Sequence, residues 1–226
     1  MMQRCDCPYL VKIGPIGLRN GDLAGQPVVY YTEEFIEGDN LRDYLRQKGP
    51  LASAELIRLG TQMTTAISAI WERRMIHRDV KPGNIMRRSA SGDFVLLDMG
   101  CLFDLAGESL SMAPVGTPLY FSPEQLDFAN RRRVLDFRSD LFALGVVLYE
   151  MATGKHPFLT RRLSSAVDLV SRILNSTPDE PRKVRKTVPQ ELSQIIMRLL
   201  SKQPALRYRK TSMLIEALGR VPKGGV

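Results

Sequence analysis

Between His77 and Asp98 the sequence gathers four side chains suited to phosphoryl transfer. Asp79 is a carboxylate able to take the proton of an attacking hydroxyl. Lys81, two residues on, is a cation able to face a moving phosphate. Asn84 and Asp98 are oxygen donors of the kind that hold Mg²⁺. Such a transfer asks a protein mainly for positioning and charge neutralisation. With Lys81 and Asn84 close behind Asp79, one rigid loop addresses nucleophile, phosphate and metal together. Asp98 follows fourteen residues after Asn84, on a second loop.

The flanking segments must hold these loops still. Tyr9 to Leu18 and Val28 to Ile36 are rich in β-branched and apolar residues. Asn20-Gly21-Asp22 and Gly25-Gln26-Pro27 lie between them, so an antiparallel hairpin is expected. Gly38-Asp39-Asn40 reads as a strand breaker, and Leu41 to Gln47 as a short helix. Ser53 is a candidate N-cap for a helix to about Arg74, with Leu56, Leu59, Met63, Ile67 and Ile70 at helical spacing. Two short strands, Ile85 to Arg87 and Phe94 to Leu97, should follow the His77 to Asn84 loop. Asp98 to Glu124 has little periodicity. Asp140 to Thr153 reads as an apolar helix ended by Gly154. Helices near Ser164 to Leu174, Pro189 to Ser201 and Ser212 to Leu218 complete the chain, with Thr187 and Gln190 a candidate capping box.

His77-Arg78-Asp79-Val80-Lys81-Pro82-Gly83-Asn84 followed by Asp98-Met99-Gly100 resembles the catalytic and metal-binding loops of eukaryotic-like (Hanks-type) Ser/Thr protein kinases. The resemblance implies Asp79 as catalytic base, and Asn84 and Asp98 as ligands of the Mg²⁺ that accompanies ATP. Lys81, two residues after Asp79, is similar to the Ser/Thr-specific form of the loop. Met99 stands where Phe is usual. Gly116-Thr117-Pro118-Leu119-Tyr120-Phe121-Ser122-Pro123-Glu124 resembles the end of an activation segment. There Thr117 would position Asp79 and Lys81, and Glu124 would pair with Arg207. Ser139 to Gly145 resembles the family's buried central helix, whose Asp140 holds the catalytic-loop backbone. His156-Pro157-Phe158 matches the segment that follows it.

Upstream, Glu33 to Gly38 resembles the hinge that holds adenine, with Glu34 and Ile36 contributing backbone groups. Asn40 would lie near the ribose, Met86 under the base, and Glu33, oddly a carboxylate, at the back of the pocket. The fold implied is α+β and protein-kinase-like: one partial domain over residues 1–226, with remnant small-lobe strands and the start of the hinge in 1–36 and the large lobe in 37–226. No glycine-rich loop or Val-Ala-Ile-Lys-like strand precedes the hinge. The alternative is therefore a truncated, inactive pseudokinase or interaction module.

The 226 residues are 44% hydrophobic and 25% charged, as in an ordinary globular domain, with net charge +8. The basic clusters Arg131-Arg132-Arg133 and Arg182 to Lys186 carry no nucleic-acid motif, so solvated surface is expected and nucleic acid is not. Three cysteines, Cys5, Cys7 and Cys101, argue against a disulfide framework. No secretory or membrane segment is evident, so a cytoplasmic place is expected. Expected partners are a protein substrate with Ser or Thr and, through an exposed small-lobe edge, a second copy. Ser109 and Ser111 are candidate phosphosites that could dock on Arg78.

Overall fold

The computed structural model describes residues 6–17, 19–98, 103–104, 118–126, 135–160 and 165–222. Thr117, Met99, Ser109, Ser111, Cys5, Cys101 and Arg131 to Arg133 lie outside them. The architecture is α+β, with a helical body carrying three small antiparallel sheets.

The first sheet pairs β1 (Arg19–Leu23) with β2 (Gln26–Tyr30), Leu23 standing opposite Gln26. The turn is therefore Ala24-Gly25, both at positive φ, +53° and +81°. That is the type I′ geometry that matches strand twist in two-residue hairpins. Asp22 Oδ1 accepts the Gly25 N–H at 2.8 Å. The expected turn formers Asn20, Gly21 and Asp22 are instead strand residues, because the tight turn takes the one site where Gly25 relieves the positive φ. Beyond β1 and β2 the two segments stay antiparallel through isolated contacts, Ile13 facing Glu33 and Glu34 N–H reaching Lys12 O at 2.9 Å.

The second sheet joins β3 (Gly38–Asn40), β5 (Ile85–Arg88) and β6 (Phe94–Leu96) in that order. Gly38-Asp39-Asn40 is thus a strand, contrary to its reading as a breaker. Gly38 sits at φ +153°, and a Cβ there would collide with the Arg87 carbonyl oxygen. Glycine permits this pairing rather than ending it. In the third sheet, β4 (Met75–Ile76) pairs with β7 (Phe103–Asp104), tying the segment after Asp98 to the start of the His77 to Asn84 loop.

Asn40 caps helix α1 (Leu41–Lys48), its Oδ1 accepting the Asp43 N–H at 3.0 Å. Helix α2 (Ser53–Trp71) buries Leu56, Leu59, Met63, Ile67 and Ile70, as the periodicity predicts. Ser53 is its first residue and Ala52 holds the cap position without a side-chain bond. After the short helix α3 (Pro123–Leu126) comes α4 (Phe137–Thr153), buried on nearly every side. Asp136 caps α4 at its start, and Gly154 closes it in the left-handed region at φ +73°. Helices α5 (Ala166–Asn175), α6 (Pro181–Val184), α7 (Gln190–Leu199) and α8 (Thr211–Gly219) complete the body. The Thr187–Gln190 box is not formed. Pro189 holds the cap position of α7, so Gln190 is too early in the helix to reach back. α4 packs against α2 and α7, and α8 covers α2, around one apolar core. Among the described residues no helix is long and apolar enough to cross a membrane.

Candidate active site

The loop from His77 to Asn84 leaves β4 and ends in a single 3-10 turn, Pro82–Asn84, that leads into β5. Its anchor lies beneath it. Asp140, in the first turn of α4, accepts the backbone N–H of His77 at 2.8 Å and of Arg78 at 2.9 Å. Burial pushes the Asp140 pKa up, while His77, both N–H donors and Arg78 favour its ionised form. Arg78 adopts a left-handed φ of +67°, an unusual conformation for a residue with a side chain. Gln125 Nε2 donates to the Arg78 carbonyl at 3.3 Å. The loop is thus held from α4 on one side and α3 on the other.

His77 is fully buried and locks the next layer. Its Nδ1 accepts the Asp79 N–H at 3.3 Å, so Nε2 carries the proton and donates to Leu97 O at 3.0 Å. The Leu97 N–H donates to Asn84 O at 2.8 Å. These bonds draw the strand end that carries Asp98 against the loop that carries Asp79 and Asn84. Asp98 itself stands at φ +61°.

Three of the four expected groups meet directly. Asp79 Oδ2 accepts from Lys81 Nζ at 2.6 Å and from Asn84 Nδ2 at 2.8 Å, and Asn84 Nδ2 also reaches Asp79 O at 3.0 Å. Asp79 is buried and Lys81 and Asn84 are half-buried, so the ion pair is shielded from bulk screening. Since Asn84 turns its amide nitrogen to Asp79, its Oδ1, which accepts no hydrogen bond among the described residues, is the atom that could serve as a neutral oxygen ligand. Asn84 and Asp98 fit Mg²⁺ better than a transition metal, because both offer oxygen. Mg²⁺ is commonly held by one or two protein oxygens with phosphate and water completing the shell. Among the described residues no group of three or more His, Cys, Asp or Glu side chains forms a cage that would suit another ion.

Of the expected nucleotide-side residues, Asn40 lies on β3 and Met86 on β5, while Glu34 and Ile36 precede β3. Asn40 stands opposite Met86 across that pairing, and Met86 opposite Val95. Ile36 is buried. The Glu34 side chain is turned to the protein, accepting from Lys12 N–H at 3.1 Å and Arg88 Nη2 at 3.2 Å. The Asn40 side chain is committed to the cap of α1, a role its sequence position did not disclose. Glu33 Oε1 is buried with no hydrogen-bond partner among the described residues. Thr117 lies outside them.

The scaffold pair expected from the sequence is present. Arg207 donates to both carboxylate oxygens of Glu124, and Ser139 Oγ donates to Glu124 Oε1 at 2.8 Å. Burial opposes ionisation of Glu124, yet the bonds to Arg207 and its charge hold the carboxyl below its usual range. His156, whose burial lowers its pKa to about 4, donates through Nε2 to Leu119 O at 3.0 Å, fixing the turn before α3. Sequence reasoning passed over Gln125 and Arg42. Nothing in their local pattern marks them, since their roles depend on contacts with distant loops.

Residues 1–217 match the protein kinase domain family. The chain is similar to the serine/threonine-protein kinase PknB of Mycolicibacterium smegmatis, 34% identical over 96% of this chain and 34% of that protein. It is also similar to a probable serine/threonine-protein kinase of Clostridium perfringens, at 31% over 96% of this chain and 30% of the other. PrkC of Bacillus subtilis, another serine/threonine-protein kinase, is 31% identical over 90% of this chain and 30% of its own. The chain therefore spans about a third of the length of these relatives.

Proposed function

This chain belongs to the protein kinase domain family, and we propose that it transfers the γ-phosphate of ATP to Ser or Thr hydroxyls of a protein substrate. The observation that carries the reading is the Asp79 carboxylate held by Lys81 and Asn84 at 2.6 and 2.8 Å. In this reading Asp79 orients the substrate hydroxyl and accepts its proton as the oxygen attacks. Lys81 pairs with that carboxylate and places a cation beside the phosphate acceptor. Asn84 Oδ1 and Asp98 hold Mg²⁺, which when bound neutralises phosphate charge. Backbone groups of Glu34 and Ile36, with Asn40 and Met86, take the nucleoside.

The same catalytic groups argue for turnover over a role as an interaction module. The test is radiolabelled ATP with Mg²⁺ and a Ser/Thr peptide mixture. Label should appear on peptide with the native chain and vanish with Asp79→Asn. Label that persists in Asp79→Asn would overturn the reading.

We also assign the domain to the cytoplasm, where ATP is available, and infer self-association through the β1–β2 hairpin. Leu23 is 71% exposed there and Tyr30 47%, and each strand of this two-stranded sheet has one unpaired edge among the described residues. Such an edge with apolar side chains invites pairing. Leu23→Lys with Tyr30→Lys should reduce the sedimentation coefficient of a self-associated sample.

A further inference from the structure

Arg42, on the first turn of α1, is exposed and lies across the catalytic loop. Its Nη2 is 3.1 Å, and its guanidinium carbon 3.4 Å, from where a Cβ on Gly83 would stand. Glycine at 83 makes room for it, and any side chain there would push the guanidinium aside. Gly83 lies between Lys81 and Asn84, so Arg42 flanks the bonded cluster around Asp79. Unlike Lys81, Arg42 makes no hydrogen bond or ion pair with any described residue.

The surroundings sharpen the point. Tyr120 Oη donates to Glu150 Oε2 at 2.8 Å, and the field of Arg42 reaches both groups. Glu150 is half-buried and already bonded to Tyr120, so its carboxylate is turned to the protein. The other acids of α1 and its approach are also engaged. Asp43 bonds Asn40 at 2.7 Å and Arg46 at 3.1 Å, and Asp39 pairs with Lys48 at 3.6 Å. Three elements thus converge beside this loop, and among the described residues Arg42 is a positive group there that makes no hydrogen bond or ion pair.

A substrate hydroxyl that reaches Asp79 brings its neighbours with it. An extended peptide advances about 3.3 Å per residue, so residues two or three positions away sweep roughly 7 to 10 Å of surface. That reach covers Gly83 and the guanidinium over it. We propose that Arg42 is a specificity residue, receiving an acidic side chain that flanks the phosphoacceptor Ser or Thr. The pairing would be charge-assisted and, with a carboxylate, bidentate. The same charge repels basic flanking residues, which makes the selection two-sided. This inference rests on the kinase reading above.

The experiment compares three otherwise identical Ser peptides with Glu, Ala or Arg at each position within three of the acceptor. Transfer is followed with Mg²⁺-ATP, and peptide Kd by fluorescence anisotropy, which needs no turnover. At one flanking position the native chain should favour Glu over Ala by roughly two- to fivefold, the range of a single accessible charge pair. Arg42→Ala should collapse that ratio to about one. Arg42→Glu should reverse it in favour of the Arg peptide. Arg46→Ala, on the same helix but paired with Asp43, should leave the ratio unchanged. Ratios that Arg42→Ala and Arg42→Glu do not move, with transfer still dependent on Asp79, would overturn this proposal alone. Transfer independent of Asp79 would overturn the kinase reading instead.

Discussion

Arg207 grips both carboxylate oxygens of Glu124, Nη1 to Oε1 at 2.6 Å and Nη2 to Oε2 at 2.9 Å, and neither side chain has exposed surface. The remaining guanidinium hydrogens go to the carbonyls of Ser201, Arg138 and Lys202. One arginine therefore joins α3, the start of α4 and the loop after α7. Removing one partner strands a buried charge, which costs about 3–5 kcal/mol. Glu124→Gln and Arg207→Met should each lower the unfolding free energy measured by urea denaturation by that order, and combined they should cost less than the sum. Additive losses would show that the two side chains act independently.

Asp140 serves two backbone donors of the catalytic loop. Asp140→Ala leaves the His77 and Arg78 N–H groups without this acceptor, at about 1–3 kcal/mol for each donor left unsatisfied. Hydrogen exchange at those two amides should accelerate by more than at amides within α2. Phosphoryl transfer should fall sharply while the far-UV spectrum is retained. Unchanged exchange at both amides would contradict the anchoring role.

Asp79→Asn and Asp98→Asn separate the two carboxylates by role. Both should nearly abolish transfer. Only Asp98→Asn should also weaken Mg²⁺-dependent binding of a fluorescent ATP analogue, because it removes a charged metal ligand. Equal loss of nucleotide affinity in the two variants would contradict the assignment.

His156 makes stability depend on pH. Burial lowers its pKa from 6.5 to about 4, while the unfolded chain keeps the ordinary value. Between those values the unfolded state binds more protons, so stability rises with pH across that window and is lost as pH falls toward 4. The full swing is about 3 kcal/mol. His156→Gln removes the titration, so the difference in unfolding free energy between native and variant should shrink as pH falls from 7 to 4. A constant difference would contradict it.

Gly38 tests the pairing of β3 with β5. Gly38→Ala drives a methyl into the Arg87 carbonyl and disfavours the φ of +153°, so β3 should separate from β5. A loss of at least about 1 kcal/mol is expected, together with faster exchange of the amides shared by β3 and β5. Gly49→Ala, where a Cβ meets nothing within 4 Å, tests the effect of positive φ alone.

The sequence by itself determined the family resemblance, the candidate catalytic groups and much of the frame. Asp79, Lys81 and Asn84 lie within one short loop, so their meeting needed only local geometry, and their types suit the phosphoryl transfer proposed above. The α2 and α4 helices were legible because an apolar periodicity and a left-handed glycine are local signals. The turn at Ala24-Gly25 was not, since Asn20-Gly21-Asp22 and Gly25-Gln26-Pro27 carry comparable turn propensity and strand register decides between them. Gly38 read as a breaker because its value lies in a distant carbonyl, Arg87 O, which only pairing supplies. The Asp140 bonds to His77 and Arg78, and the Arg207 grip on Glu124, span 62 to 83 residues. Resemblance suggested them, but only tertiary packing brings such groups within bonding distance. Arg42 shows the limit most sharply. Its position in α1 is an ordinary exposed one, and its place over Gly83 exists only because α1 packs on the turn that ends the catalytic loop.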